Sequence, residues 1–183
     1  MRTMNLELCR KQSVKFFSQF TKYLDRREFV DDFNETPFQY FITIPLKNQY
    51  LPFDAISRLQ SQFLIRLNRK IFTRKELNKN FELKVLPVIE KHNHIHLLID
   101  LPDCKRLDEV DDEYEFVADK ILSIIKNMKL CDMHILKRRN NNAEFEFLKK
   151  VETANDKFAV INYMTKEDRE LKNIDYLNIK LTR

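Results

Sequence analysis

The chain of 183 residues contains no glycine, only five prolines and only three cysteines. The missing glycine excludes phosphate loops of the P-loop and dinucleotide-binding kinds, which need glycine to bring backbone N–H groups against phosphate. No attached ATPase or helicase module and no nucleotide cofactor are therefore expected. Tight turns must use Asn, Asp and Pro, and Lys91-His92-Asn93 and Asn140-Asn141-Asn142 are the obvious places. Cys9, Cys104 and Cys131 are odd in number, widely spaced and form no CxxC pair. That usage fits reduced thiols in a cytoplasmic compartment. Long hydrophobic runs are missing as well. The apolar stretches are strand-sized, so no membrane span is expected. The opening MRTMNLELCRKQSVKFF lacks the sustained apolar block of a secretion signal.

What remains is ordinary for a soluble globular chain: 43% hydrophobic and 33% charged residues. The length suits one domain with a substantial core. No repeat and no Pro- or Ser-rich linker divides it, so residues 1–183 read as a single domain. Within it, 1–36 form an N-terminal helix and loop, 38–168 a core, and 169–183 a basic tail. The net charge of +5 and a pI near 9.0 favour a polyanionic partner.

The stretch from Pro87 to Asp100 organises the rest. Its second half alternates, placing His94 and His96 on one face of a strand and Ile95, Leu97 and Ile99 on the other. Two residues along a strand span about 6.6 Å, close enough for two imidazoles to converge on one ion. Phe81 to Glu90 reads as the preceding strand, joined by a very short turn at Lys91-His92-Asn93 into a hairpin. Glu90 and His94 then lie opposite each other on one face, which brings a carboxylate to the two histidines. A solvent-exposed Glu at a hairpin end is the competing reading.

Around this hairpin the pattern predicts α and β elements in turn. Residues 5–30 read as a helix, with Phe16, Phe17, Phe20, Tyr23 and Leu24 at helical spacing. Phe38–Pro45 is aromatic and β-branched, hence a first strand. Pro52 and Asp54 open a helix with Ile56, Leu59, Phe63, Leu67 and Ile71 on its buried stripe. Arg58, Arg66, Arg69, Lys70, Arg74 and Lys75 make its other side and end basic, and no acidic residue lies between Arg58 and Arg74. A phosphate-contacting surface is the expectation there, against an ordinary solvated face. Leu107–Leu130 reads as a helix whose first turn carries Asp108, Glu109, Asp111, Asp112 and Glu113. Met133–Lys137 reads as a strand with His134 structural, and 144–151 as a further strand with clean alternation. Between them runs the basic turn containing Arg138 and Arg139, also expected to touch nucleic acid. A last helix covers 155–167, and the tail keeps a weak apolar pattern at Ile174, Leu177, Ile179 and Leu181.

Tyr163, Lys166 and Glu167 share one face of that last helix. Phe158, Val160, Ile161 and Met164 are available for packing, leaving Tyr163 to point at a site. Taken in order, Phe41-Ile42-Thr43-Ile44-Pro45, His94-Ile95-His96 and Tyr163-Met164-Thr165-Lys166 resemble the three motifs of HUH endonucleases. Within that superfamily the chain looks like the one-tyrosine replication initiators (Rep proteins) of rolling-circle plasmids and single-stranded DNA phages. The resemblance spans roughly residues 38–168. It implies an α+β fold, an antiparallel sheet of about five strands in a ferredoxin-like or RRM-like arrangement. Helices would pack on one side, and metal and tyrosine would meet over the open face.

The resemblance also implies chemistry. His94, His96 and a carboxylate would hold one divalent ion, Mn²⁺ by ligand type or Mg²⁺ by abundance. Glu90 is the expected third ligand, with Glu167 and Asp100 as alternatives. Tyr163 would attack the scissile phosphate, leaving a 5′-phosphotyrosine and a free 3′-hydroxyl, and Lys166 would assist. The partner implied is single-stranded or hairpin DNA, with room for a host helicase or polymerase. Two rivals stand beside this reading: a single-tyrosine transposase of the same superfamily, and a non-catalytic RRM-like nucleic-acid-binding module.

Overall fold

The computed structural model describes residue 33 and residues 36–47, 51–90, 94–132, 145, 147–165, 174–175 and 178–179. The expected N-terminal helix over 5–30, the strand at 133–137 with His134, the basic turn with Arg138 and Arg139, and Lys166 and Glu167 lie outside these residues.

The fold is α+β. Four antiparallel strands, β1 (Tyr40–Pro45), β2 (Lys84–Glu90), β3 (His94–Asp100) and β4 (Leu148–Lys150), form one sheet in the order β2-β3-β1-β4. The strand count among the described residues is thus four, against the expected five. Between β1 and β2 run the helices α1 (Phe53–Ile71) and α2 (Arg74–Leu77). Between β3 and β4 run α3 (Lys105–Asp108) and α4 (Glu113–Ile125), and α5 (Ala154–Thr165) follows the sheet. No helix among the described residues is long and apolar enough to cross a membrane.

Strand alternation makes the first face almost wholly apolar. Ile42 and Ile44 of β1, Val85 and Ile89 of β2, and Ile95, Leu97 and Ile99 of β3 are buried there in one cluster. The stripe Ile56, Leu59, Phe63, Leu67 and Ile71 of α1 closes on it, as its spacing predicts. Val117, Ile121, Ile124 and Ile125 of α4 complete the layer. The acidic run does not form this helix's first turn. Asp112 is the N-cap, its side chain accepting the Glu115 N–H, and the helix begins at Glu113. An Asx cap competes with continued helix, so the run from Asp108 splits into α3, a turn and α4.

The second face is not left open. Phe41, Leu86, Val88 and Leu98 form a smaller apolar cluster with Ile161 and Met164 of α5, together with Phe33, Ile174 and Ile179. Helices therefore pack on both faces, not on one. β2 reads Lys-Val-Leu-Pro-Val-Ile-Glu and is apolar on both sides, so both must be covered. Phe158, expected to pack, is 46% exposed; Ile161 and Met164 do that work. A capping box starts α5: the Thr153 hydroxyl accepts the Asp156 N–H while the Asp156 carboxylate accepts the Thr153 N–H.

β2 is an edge strand, where Pro87 is tolerated. Two described residues of the tail lie beside it: Ile174 bridges Val88, and the Asp175 N–H bonds the Pro87 carbonyl at 3.1 Å. Asp175 and Asn178 then reach α1 through Gln60 and Ser57, which ties the tail to the far layer. Cys104 and Cys131 are free and buried, and burial pushes the Cys131 thiol up to about 11.

Candidate active site

The second face changes character where β2 ends and β3 begins. Past Leu98 and Val88 the residues pointing to this side are His96, His94 and Glu90, joined by Thr43 of β1. A cleft of about 410 Å³ opens here, and its lining includes Thr43, Glu90, His94, His96, Lys149 and Tyr163. Four stretches of chain thus contribute: the β2–β3 hairpin, β1, β4 and α5.

His96 is the pivot. It is 2% exposed, and both ring nitrogens have partners. Nε2 lies 2.7 Å from Glu90 Oε2 and Nδ1 lies 3.2 Å from Thr43 Oγ1. With the carboxylate ionised, Nε2 carries a proton and donates to Glu90. The Thr43 hydroxyl then donates to a neutral Nδ1 or accepts from a charged one, so either state is satisfied. The Phe41 ring stacks on the imidazole at 5.4 Å and 17°, fixing its plane. Glu90 is paired in register with His94, as the hairpin predicts, yet its carboxylate engages the diagonal neighbour His96.

His94 stands alongside, its ring parallel to that of His96 within 13° and 6.0 Å away. Tyr163 presents its ring across the cleft from α5, 5.7 Å from His96 at 81° and 6.4 Å from Phe41 at 82°. It is 44% exposed, because Ile161 and Met164 occupy the buried side of the helix.

The donor types suit a divalent ion: a carboxylate oxygen and two imidazole nitrogens on one sheet face. Two neighbouring ligands on an ion with bonds of about 2.1 Å lie about 3.0 Å apart at right angles. Glu90 and His96 at 2.7 Å are close to that spacing already. Among the described residues no three His, Cys, Asp or Glu groups already sit at ligand spacing. Convergence of all three side chains, expected from the short hairpin, is reached by two.

The other expected residues part company here. Asp100 lies four residues from His96, at the far end of β3, where it pairs with Lys84 at 3.2 Å. At about 13 Å along a strand, Asp100 is too far from His96 to share one ion with it. Arg58, Arg66, Arg69 and Lys70 are exposed on α1, which packs on the first face, so they do not border the cleft. Arg58 donates to the Asp54 carbonyl of its own helix at 3.2 Å. Lys166, Glu167, Arg138 and Arg139 lie outside the described residues.

Thr43, Phe41 and Lys149 are the additions. The first two were open to sequence reasoning, because alternation through Phe-Ile-Thr-Ile-Pro puts both on the face away from Ile42 and Ile44. Lys149 was not. Clean alternation over 144–151 would place it with Phe145 and Phe147, which lie in the first core. A turn at Phe147, with the Leu148 N–H bonding the Phe145 carbonyl, breaks the strand. Leu148 then joins the first core, while Lys149 pairs with Phe41 and faces the cleft.

Comparison with protein-family models, with curated proteins and with solved structures finds no match. The functional reading rests on the cleft itself.

Proposed function

We propose that this protein is a metal-dependent nickase of single-stranded DNA of the HUH kind, with Tyr163 as nucleophile. It would form a covalent 5′-phosphotyrosine intermediate and later rejoin the strand, in the manner of a one-tyrosine replication initiator. The observation that carries the reading is the meeting of Tyr163 with the Glu90–His96 pair in one cleft, with Tyr163 67 positions after His96 in sequence. Strand and helix succession supports it: β1-helix-β2-β3-helix-β4 with β1 and β3 central is the order of a ferredoxin-like sheet.

In this reaction the Tyr163 phenolic oxygen attacks phosphorus, the P–O3′ bond breaks, and the 3′ oxygen leaves and takes up a proton. The bond energy is kept in the phosphotyrosine, and attack by a 3′-hydroxyl reverses the step. His94, His96 and Glu90 would hold a divalent ion, which when bound draws charge from the non-bridging oxygens. Thr43 and Phe41 hold the His96 ring in plane and register. Lys149, in the lining, offers a cation to the phosphate.

The rival of a non-catalytic RRM-like binder needs exposed aromatics on the central strands. Tyr40 and Phe41 of β1 are 3% and 7% exposed, and Phe41 is already stacked on His96, which weighs towards catalysis. A single-tyrosine transposase differs in what it joins. Strand transfer between paired hairpin ends would mark that enzyme.

The test is incubation with labelled single-stranded DNA and Mn²⁺, read as a denaturant-resistant adduct between the protein and the 5′-phosphate end created by the nick. An adduct is expected from the unaltered chain and none from Tyr163→Phe. An adduct formed equally by Tyr163→Phe would overturn the nucleophile assignment.

A further inference from the structure

The outer side of α1 has no place in the chemistry above, yet its make-up is specific. Arg58, Gln62, Ile65, Arg66 and Arg69 recur at three- and four-residue spacing and are all exposed. They form one stripe about 16 Å long. At its C-terminal end the stripe meets a cleft of about 400 Å³ whose lining includes Ile65, Arg69, Asn80, Phe81 and Glu82. Ile65 is 51% exposed and Phe81 38%, two of the five large apolar side chains exposed among the described residues. Two apolar groups left in water beside a row of arginines point to a ligand that is both apolar and anionic.

The cleft is also firmly built. Asn80 takes the left-handed conformation at φ 63° that closes α2, a role glycine would usually fill. The Phe81 N–H then bonds the Glu76 carbonyl at 3.1 Å, and the Phe81 ring meets the buried Phe72 edge-on at 6.2 Å. Positive charge dominates the surroundings. Arg106 Nη1 donates to the carbonyls of Arg69 and Lys70 at 3.2 and 2.7 Å, covering the negative end of α1. The Glu76 carboxylate is engaged by Thr73 and by the Lys105 N–H, which leaves Glu82 as the carboxylate on the cleft lining.

We propose that Ile65, Arg66, Arg69 and Phe81 form a second surface for unpaired nucleic acid, on the side of the sheet opposite the tyrosine cleft. A base stacks on Phe81 against Ile65, and the arginines hold the flanking phosphates. A duplex keeps its bases stacked inside and offers these apolar groups nothing, so the strand is single. The inference takes from the nickase reading only the choice of nucleic acid as partner. Its consequence is that one strand can be held on the far layer while Tyr163 stays free for another segment.

Fluorescence anisotropy with labelled dT12 and rU12, on the full chain in EDTA to silence metal chemistry, tests this. Phe81→Ala should weaken binding about 5- to 150-fold, with Phe81→Tyr restoring it. Arg66→Ala and Arg69→Ala should each lower the salt slope by about one counterion. These two side chains are exposed, so their variants report even if Phe81→Ala folds poorly. Photo-crosslinking of 5-iododeoxyuridine should map to the peptide carrying Phe81. Unchanged affinity in both arginine variants, a duplex bound as tightly as dT12, or crosslinks confined to the Phe41 and Tyr163 peptides would each overturn the proposal. No binding to any nucleic acid would do so too, and would turn attention to a protein partner. Adduct formation by the same proteins, assayed separately with Mn²⁺ in place of EDTA, separates the two readings. Nicking with no effect of these variants sinks only the second surface, and binding without any adduct sinks only the nickase.

Discussion

On the face towards α1 and α4, Ile42, Ile44, Ile95, Leu97 and Ile99 are all at 0% exposure. On the face towards α5 the apolar set stops at Phe41, Leu86, Val88 and Leu98, and the same strands end in Thr43, Glu90, His94 and His96. Neighbouring residues of one strand therefore serve unlike ends. The sealed face is interchangeable hydrophobic area and carries most of the stability. The mixed face tolerates a nearly buried histidine because Glu90 and Thr43 satisfy both its nitrogens. If this division is right, substitutions on the two faces should separate folding from chemistry.

The sharpest separation is Tyr163→Phe. It removes one hydroxyl from a half-exposed ring, so adduct formation should vanish while the melting temperature stays within the error of the wild type. Calorimetry beside the adduct assay checks both halves. On the sealed face, Leu97→Ala should destabilise by about 2–5 kcal/mol, read from urea denaturation, since a fully buried side chain leaves a cavity. A cost near that of a surface change would break the comparison.

Within the mixed face, Glu90→Ala should lower Mn²⁺ affinity at least about 10- to 100-fold by titration calorimetry. A large loss in Glu167→Ala with Glu90→Ala unaffected would move the third ligand to the tyrosine helix and favour the transposase. Thr43→Val keeps the shape of the side chain but leaves His96 Nδ1 without its hydroxyl. About a tenfold loss of nicking is expected, with the metal requirement retained. Wild-type rates in Thr43→Val would show that Phe41 alone positions the ring.

The smallest effect lies away from both faces. The Thr73 hydroxyl, with the N–H groups of Lys105 and Thr73, holds the Glu76 carboxyl down to about 2, below its ordinary value of 4.5. A lowered folded-state value favours the ionised form, so the contribution is present above about pH 4.5 and fades as pH falls towards 2. Glu76→Gln should be less stable than the wild type at pH 7 and approach it at pH 2.5, by melting temperature. A gap that persists in acid would assign the loss to packing instead of charge.

Much of this was written in local pattern. The period of two in His-Ile-His-Leu-Leu-Ile-Asp settles which residues of β3 share a face, and a link of only three residues after Glu90 limits the register to one that pairs it with His94. The 3.6-residue period of α1 and α4 names their buried stripes. These are consequences of backbone geometry acting over a few residues, so sequence suffices for them.

Three things needed the tertiary structure. Glu90 reaches past His94 to His96, because Phe41 and Thr43 on a strand far away in sequence hold that ring in place. Lys149 faces the cleft because a turn at Phe147 reverses the alternation just before it. The arginines of α1 sit behind the sheet, because its apolar stripe is drawn to the face that buries more area. Each was decided by competition between distant surfaces for burial and for hydrogen-bond partners, and no local period records which surface wins.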